Sequence, residues 1–325
     1  MSHLACMLAL SALFLVVAGH ACAGEDPGTR VAKWKDDKKA AFMLMFDDNC
    51  PTHLKNAIPE LKKRGLIATF YVVPGQTGLW TPAREKALVE SGMVLANHTF
   101  NHTGAPDLAG IEEEIRKCSE VLDQITPNGD KPHLVSFGIP GGLKPGHWNI
   151  GKPQLKEILD RYHLVERPPF KGPACGIKTV GEITRQIDEA IAQGRFEYTV
   201  FHGFGGDWLS FSLPDCIAIL DYVAERKDRL WVTDPISLHK YETEWKTAQV
   251  NVVGKDDQRI RLTLSCQADP KLYDQPLTLT TQVPAAWKKC RVTQGERKAV
   301  VEVVGGAARY DAVPCSTPIV LEAAD

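Results

Sequence analysis

Apolar and polar positions along this chain follow two rhythms. The run AAFMLMF, residues 40–46, is apolar without interruption, the pattern of a strand buried on both faces. Behind it, Leu54, Ala57, Ile58 and Leu61 recur at helical spacing and stop at Gly65. This strand–helix unit then repeats. Strand ATFYVV leads to a helix around PAREKALVESG, and strand MVLAN leads to a helix with Ile111, Ile115, Cys118, Leu122 and Ile125 on one face. LVSFGI, YHLVE, YTVFH and LWVTD read as further strands. Seven strands by about residue 234, most followed by a helix, predict a parallel α/β architecture, open or closed into a barrel.

Past about Glu244 the helical period disappears. QVNVVG, RIRLTLSC, PLTLTTQV and KAVVEVVGG are short β-like runs broken by Gly, Pro and Asp, and they predict a small, sandwich-like all-β domain. As a sugar-binding module it would have Tyr273, Trp287 and Tyr310 as stacking aromatics, with Trp245 at the boundary; a structural accessory is an equally good reading.

The first two dozen residues differ from the rest. An apolar stretch from Met7 to Ala18 precedes Ala21-Cys22-Ala23, which fits a small-residue cleavage site before Gly24, so residues 1–23 read as a signal peptide despite an n-region without Lys or Arg. The run is too short for a membrane span, so none is expected after cleavage. Cys22 offers lipid anchoring as an alternative, ranked second because Gly19 stands where a lipobox has an aliphatic residue. The expected organisation is a leader at 1–23, a linker at 24–39, a principal α/β domain at 40–243 and a β-rich accessory at 244–325, with a secreted or periplasmic location. A net charge of -2 and no long basic run argue against nucleic acid as a partner. Seven cysteines follow the leader, an odd number with no CxxC spacing, so a thiolate zinc site has no support.

In parallel α/β folds, chemistry gathers at the C-terminal ends of the strands. Three polar clusters fall there. Asp47 and Asp48 end the first strand, His98 and His102 follow the third in NHTFNHT, and His202 follows the sixth in FHGFGGDW. Two adjacent carboxylates at a strand end are costly unless a cation or a proton-transfer task lies nearby. The i, i+4 spacing of His98 and His102 on a helical turn would aim both imidazoles one way. With Asp48 in the same crevice they make a two-histidine, one-carboxylate metal site with open positions; Thr99, where a zincin has its glutamate, excludes that motif. Both histidines also sit in sequon-like triplets starting at Asn97 and Asn101, a reading the cleft position disfavours.

FDDN, NHTFNH, SFGIPGG and VFHG, with the linking segments AIPELKKRGLIATFYVVPG and ESGMVLANHTFNH, resemble the polysaccharide deacetylase (NodB-homology) family of carbohydrate esterases over roughly residues 40 to 240. The resemblance implies an irregular (β/α)7 barrel. It also implies that Asp48, His98 and His102 hold one divalent ion, zinc on ligand type with Co2+, Ni2+ or Mn2+ as alternatives. Asp47 would be the general base, His202 the general acid, and the N–H of Gly141, after Pro140, an oxyanion donor. The implied activity is removal of N-acetyl or O-acetyl groups from an acetylated poly- or oligosaccharide. Hydrolysis of a small non-sugar amide and silent carbohydrate binding are the alternatives. Gly138 stands where the family's third motif carries an arginine, and no Asp-Trp pair stands in the usual place of the fourth motif. Arg167, in ERPPFKG, is expected to reach over the space left at Gly138 and pair with Asp47; the alternative is a surface arginine before a proline turn.

Overall fold

The structure is a computed structural model that describes residues 28–126, 131–141 and 147–324. The leader and Cys22 lie outside these residues. Among the described residues no helix is long and apolar enough to cross a membrane.

Seven parallel strands form the principal sheet: Ala40–Asp47, Thr69–Val72, Val94–Asn97, Val135–Phe137, Leu164–Glu166, Phe196–Phe201 and Leu230–Thr233. Ala40–Asp47 is its centre. Its Ala41 pairs with Trp231 and Phe196, and its Met45 with Thr69 and Val200, so the sixth strand takes one edge while the seventh and second share the other. The second, third, fourth and fifth strands continue outward in order. The chain beyond the fifth strand crosses back toward the sixth, where the Val200 N–H donates to Lys171 O at 2.9 Å. The result is an irregular barrel of the expected class, closed on this side by a connecting segment rather than by a full ladder.

Strand alternation divides the interior in two. Phe42, Leu44 and Phe46 face outward into the helical layer, against Ile58, Leu61, Ile183, Ile187, Ile219 and Leu220. Phe46 stacks between Phe70 and Phe201, with ring centroids 4.7 and 5.1 Å away. Four of the helices start where a polar side chain satisfies free N–H groups: Thr81, Asp107, Thr179 and Asp234 each accept from the first turn. Pro82–Ser91 and Val180–Gln193 end on Gly92 and Gly194 in left-handed conformation.

Met43, Met45 and Tyr71 face inward, and their cluster continues into the C-terminal β region through Trp231, Leu238 and Tyr241 to Leu262, Leu264, Leu277 and Leu321. The β region is therefore not packed as an isolated module. Its strand Arg297–Val304 pairs with Lys289–Gln294 over its first six residues and with Ala307–Ala312 through Val303 and Val304, so one long strand folds the sheet over on itself. Within the stretch read as a linker, Thr29–Val31 forms an antiparallel strand against Leu277–Gln282. Trp287 and Tyr310 are buried in the core, which removes two of the three aromatics a sugar platform would use. All seven cysteines from Cys50 onward are free thiols.

The helix Pro235–Thr247 joins the two regions and carries a buried acid. Glu244 Oε2 accepts from the Gln275 N–H at 3.1 Å, while Oε1 has no partner among the described residues. Burial pushes its pKa up to about 7, with Asp274 adding to the rise and the Gln275 bond and Lys240 opposing it. The folded protein thus holds a proton that the unfolded chain releases at ordinary carboxylate pH, so stability declines as pH rises from that range to about 7 and is level beyond. Glu244→Gln should remove this slope and exceed the wild type in stability above that point. Urea midpoints at several pH values test it: parallel curves for the two proteins would refute the assignment.

Candidate active site

Asp47 is the last residue of the first strand, paired in register with Tyr71, and its side chain continues the inward face of Met43 and Met45. Alternation alone would send Asp48 toward the helices. Instead Asp48 adopts φ 73° and Asn49 φ 52°, and this left-handed turn brings both carboxylates to one cavity. Asn49 locks the turn by donating from Nδ2 to Val73 O at 2.8 Å and to Gln76 Oε1 at 3.1 Å.

His98 and His102 are not on a helical turn, which corrects the reading of their spacing. The loop after the third strand places Thr99 at φ 65° and His102 at φ 66°, and these reversals, not a 3.6-residue period, make the rings converge with centroids 5.0 Å apart. Asp48 Oδ1 lies 3.2 Å from His98 Nε2 and 3.0 Å from His102 Nε2. Asn97 is fully buried, its Nδ2 bonded to Ile115 O and Ser119 Oγ, so it is no glycan acceptor.

Asp47 has a different partner. Arg167 Nη2 donates to Asp47 Oδ2 at 2.5 Å in a pair buried on both sides. The guanidinium lies over the Tyr71 ring, 4.6 Å from its centroid, and a Cβ at position 138 would collide with Arg167 Nε. Gly138 is therefore the space that this arginine fills.

His202 sits opposite, with Nε2 3.4 Å from Asp48 Oδ2 and Phe170 packed on its ring at 4.6 Å. Burial lowers its pKa, against the pull of Asp47 and Asp48. Beneath it His53, pushed down to about 3 by burial, is a neutral ring whose Nε2–H donates to His202 O at 2.7 Å. Gly141 lines the cavity at φ 63°, and the Pro140 carbonyl accepts from Trp148 Nε1 at 2.9 Å. The cavity measures about 590 Å³, and Ile139, Pro168, Pro169, Phe170 and Leu209 give it apolar walls with Glu166 and Lys152 at hand. Sequence reasoning assigned no role to Phe170 or to Trp208, whose Nε1 donates to Asp48 Oδ2 at 3.1 Å. Both stand inside stretches whose neighbours, Arg167 and His202, drew attention, and an aromatic beside a polar motif was the available signal.

The Asp48, His98 and His102 ligand atoms lie within 4.8 Å of one another. His98 Nδ1 donates to Gly138 O at 2.6 Å, which turns the ring's Nε2 toward Asp48 Oδ1. Among the described residues, buried Asp48 Oδ1 has no hydrogen-bond partner although two ring nitrogens face it. Such an arrangement calls for a cation or a proton between them. Protons show the same demand: burial works against ionised Asp48, yet the adjacent His102 and His98 hold its pKa far below the usual range, and Asp48 raises His102 despite burial. The donor set, nitrogen and oxygen with an open side, suits a divalent transition metal.

Fold and site define a parallel α/β barrel protein with a histidine–carboxylate cluster at its strand ends. Residues 35–148 match the family model described as polysaccharide deacetylase. It is 23% identical over 86% of its length to a gellan lyase of a Bacillus species, and this match spans 12% of that protein. It is 28% identical over 41% of its length to a chitooligosaccharide deacetylase of Rhizobium leguminosarum bv. trifolii, spanning 69% of that protein. A family 4 carbohydrate esterase from Streptomyces lividans, solved in complex with acetate, aligns at TM-score 0.41 and 19% identity over 62% of this chain and 95% of its own, an overlay too loose for transferring residues.

If the cluster is a metal site, His98→Ala and His102→Ala should each lower bound zinc, and the double variant should retain none after dialysis. Elemental analysis decides, and full occupancy in the double variant would place the metal elsewhere.

Proposed function

We propose that the protein is an exported hydrolase that removes N-acetyl groups, with O-acetyl groups as the second choice, from a poly- or oligosaccharide, using one divalent ion held by Asp48, His98 and His102. One observation carries the reading: two adjacent carboxylates face one cavity, yet Asp48 belongs to the histidine cluster while Asp47 belongs to Arg167. That division separates a ligand from a base. When bound, the ion, zinc on ligand type, supplies a Lewis acid for the acetyl carbonyl.

The chain's own groups do the rest. Asp47 Oδ1 has no partner among the described residues and is the oxygen that takes a proton from water, while Arg167 fixes Oδ2 and so the direction of the carboxylate. His202 protonates the departing amine or alkoxide from the opposite wall. The N–H of Gly141 takes a share of the negative charge that develops on the carbonyl oxygen. The apolar walls suit the acetyl methyl and the hydrophobic face of a sugar ring. Two relatives whose names are deacetylases of chitooligosaccharide and of peptidoglycan N-acetylglucosamine support the carbohydrate class.

Acetate release from a panel of acetylated glycans and simple amides by the zinc-loaded protein tests the activity. Release from amides alone would move the substrate class, and no release from any substrate would refute catalysis. Asp47→Asn should keep metal and fold while losing about 100-fold to 10,000-fold in kcat, because only the base is removed; near-wild-type turnover would reassign that role. Arg167→Ala should also keep bound metal, and should lose about 100-fold in kcat because the base is no longer aimed. Arg167→Lys restores a charge without the fork and should recover part of that loss. Equal, small losses in both variants would make the arginine a structural group only.

A further inference from the structure

The loop from Gly203 to Ser210 has an unusual conformation. Gly205, Gly206, Asp207 and Leu209 have φ of 71°, 154°, 61° and 47°, and two of the four are not glycine. A Cβ on Gly203 would run into the Gly206 carbonyl. Sparse backbone regions persist only where surrounding bonds dictate them, and they concentrate at functional sites. Here Asp207 ties the loop to the first strand's turn, accepting from Thr52 N at 2.7 Å and Oγ1 at 2.6 Å. Ser210 Oγ gathers the Gly205 and Gly206 N–H groups, and Gly203 N–H bonds to the Trp208 carbonyl at 3.0 Å.

These bonds deliver one group, the Trp208 indole. The residue stays 39% exposed, so it is not a core side chain held by full burial. Its N–H meets Asp48 Oδ2, while Asp48 Oδ1 faces His98 and His102. The two oxygens of one carboxylate are thereby given separate tasks.

We propose that Trp208 is a positioning residue for the metal centre: its indole N–H occupies Asp48 Oδ2, so that the carboxylate offers only Oδ1 to the ion and keeps the other coordination positions open. This rests on the reading of Asp48, His98 and His102 as ligands. Partners behind a ligand typically change metal affinity 10-fold to 100-fold when removed, and a freed Oδ2 could also join the ion and raise its coordination number.

The experiment measures Zn2+ affinity by chelator competition and records the visible spectrum of the Co2+-loaded protein, for the wild type, Trp208→Phe and a protein with β-(3-benzothienyl)alanine at position 208. The last keeps the bicyclic shape and replaces only the N–H, so it folds if ring packing is what the loop needs. Both substitutions should weaken Zn2+ binding by about 10-fold or more, without comparable loss of thermal stability, and should change the intensity of the Co2+ bands that report coordination number. Tight zinc binding by the wild type with unchanged affinity and spectra in both substituted proteins overturns the proposal alone. A wild type that binds no zinc overturns the ligand assignment and this proposal together.

Discussion

Two carboxylates placed side by side at the end of a buried strand are the constraint on which the rest of this site depends. Asp47 and Asp48 are 2% and 8% exposed, too little for water to solvate either charge fully. Each must be answered separately, because one shared cation would leave the other uncompensated. The backbone makes separate answers possible. Asp47 stays in the strand and points where Met43 and Met45 point; Asp48, at positive φ, leaves the strand's alternation and meets histidines from the third loop. A one-residue change in backbone handedness thus distributes two like charges between an arginine and an imidazole pair.

The arginine shows how a chemical requirement can be met from a different address in the sequence. What Asp47 needs is a guanidinium at hydrogen-bonding distance, set against the Tyr71 ring and shielded from water. Whether it comes from the fourth strand end or the fifth is secondary, since Gly138 and Arg167 are neighbours across one parallel ladder: the Arg167 N–H bonds to Phe137 O, and the Gly138 N–H to Asn97 O. The two positions are coupled by volume. A side chain at 138 and the guanidinium from 167 cannot occupy the same space, so the glycine and the arginine make sense only together.

Much of this could be read from the sequence, for identifiable reasons. The seven parallel strands were legible because continuous apolar runs such as AAFMLMF have few alternatives once helices intervene. Asp47, Asp48, His98, His102 and His202 were legible because they sit at strand ends where the fold must converge. The histidine loop was misread because i, i+4 spacing matches a helix, whereas left-handed turns at Thr99 and His102 produce the same convergence and have no periodic signature. The continuity between barrel and β region was invisible, since alternation tells which face of a strand is buried but not what buries it. Thr29–Val31 is three residues long and has no pattern of its own, and its strand character comes from the partner at Leu279–Thr281.

That continuity bears on the site. The inward face of the first strand ends in Asp47 at one end and begins, through Ala41 and Met43, in the cluster shared with Trp231, Tyr241 and the β strands. Tyr241 extends the connection by donating to Ala32 O and accepting from the Thr278 N–H, which ties the helix after the seventh strand to the antiparallel sheet and to the segment leading into the first strand. Asp47 is thus mounted on a strand that is buried along its whole length. A carboxylate that must be aimed to within a fraction of an ångström benefits from such a mount. In this fold the β region, whatever else it contacts, supplies part of the packing that keeps the first strand, and therefore Asp47, in place.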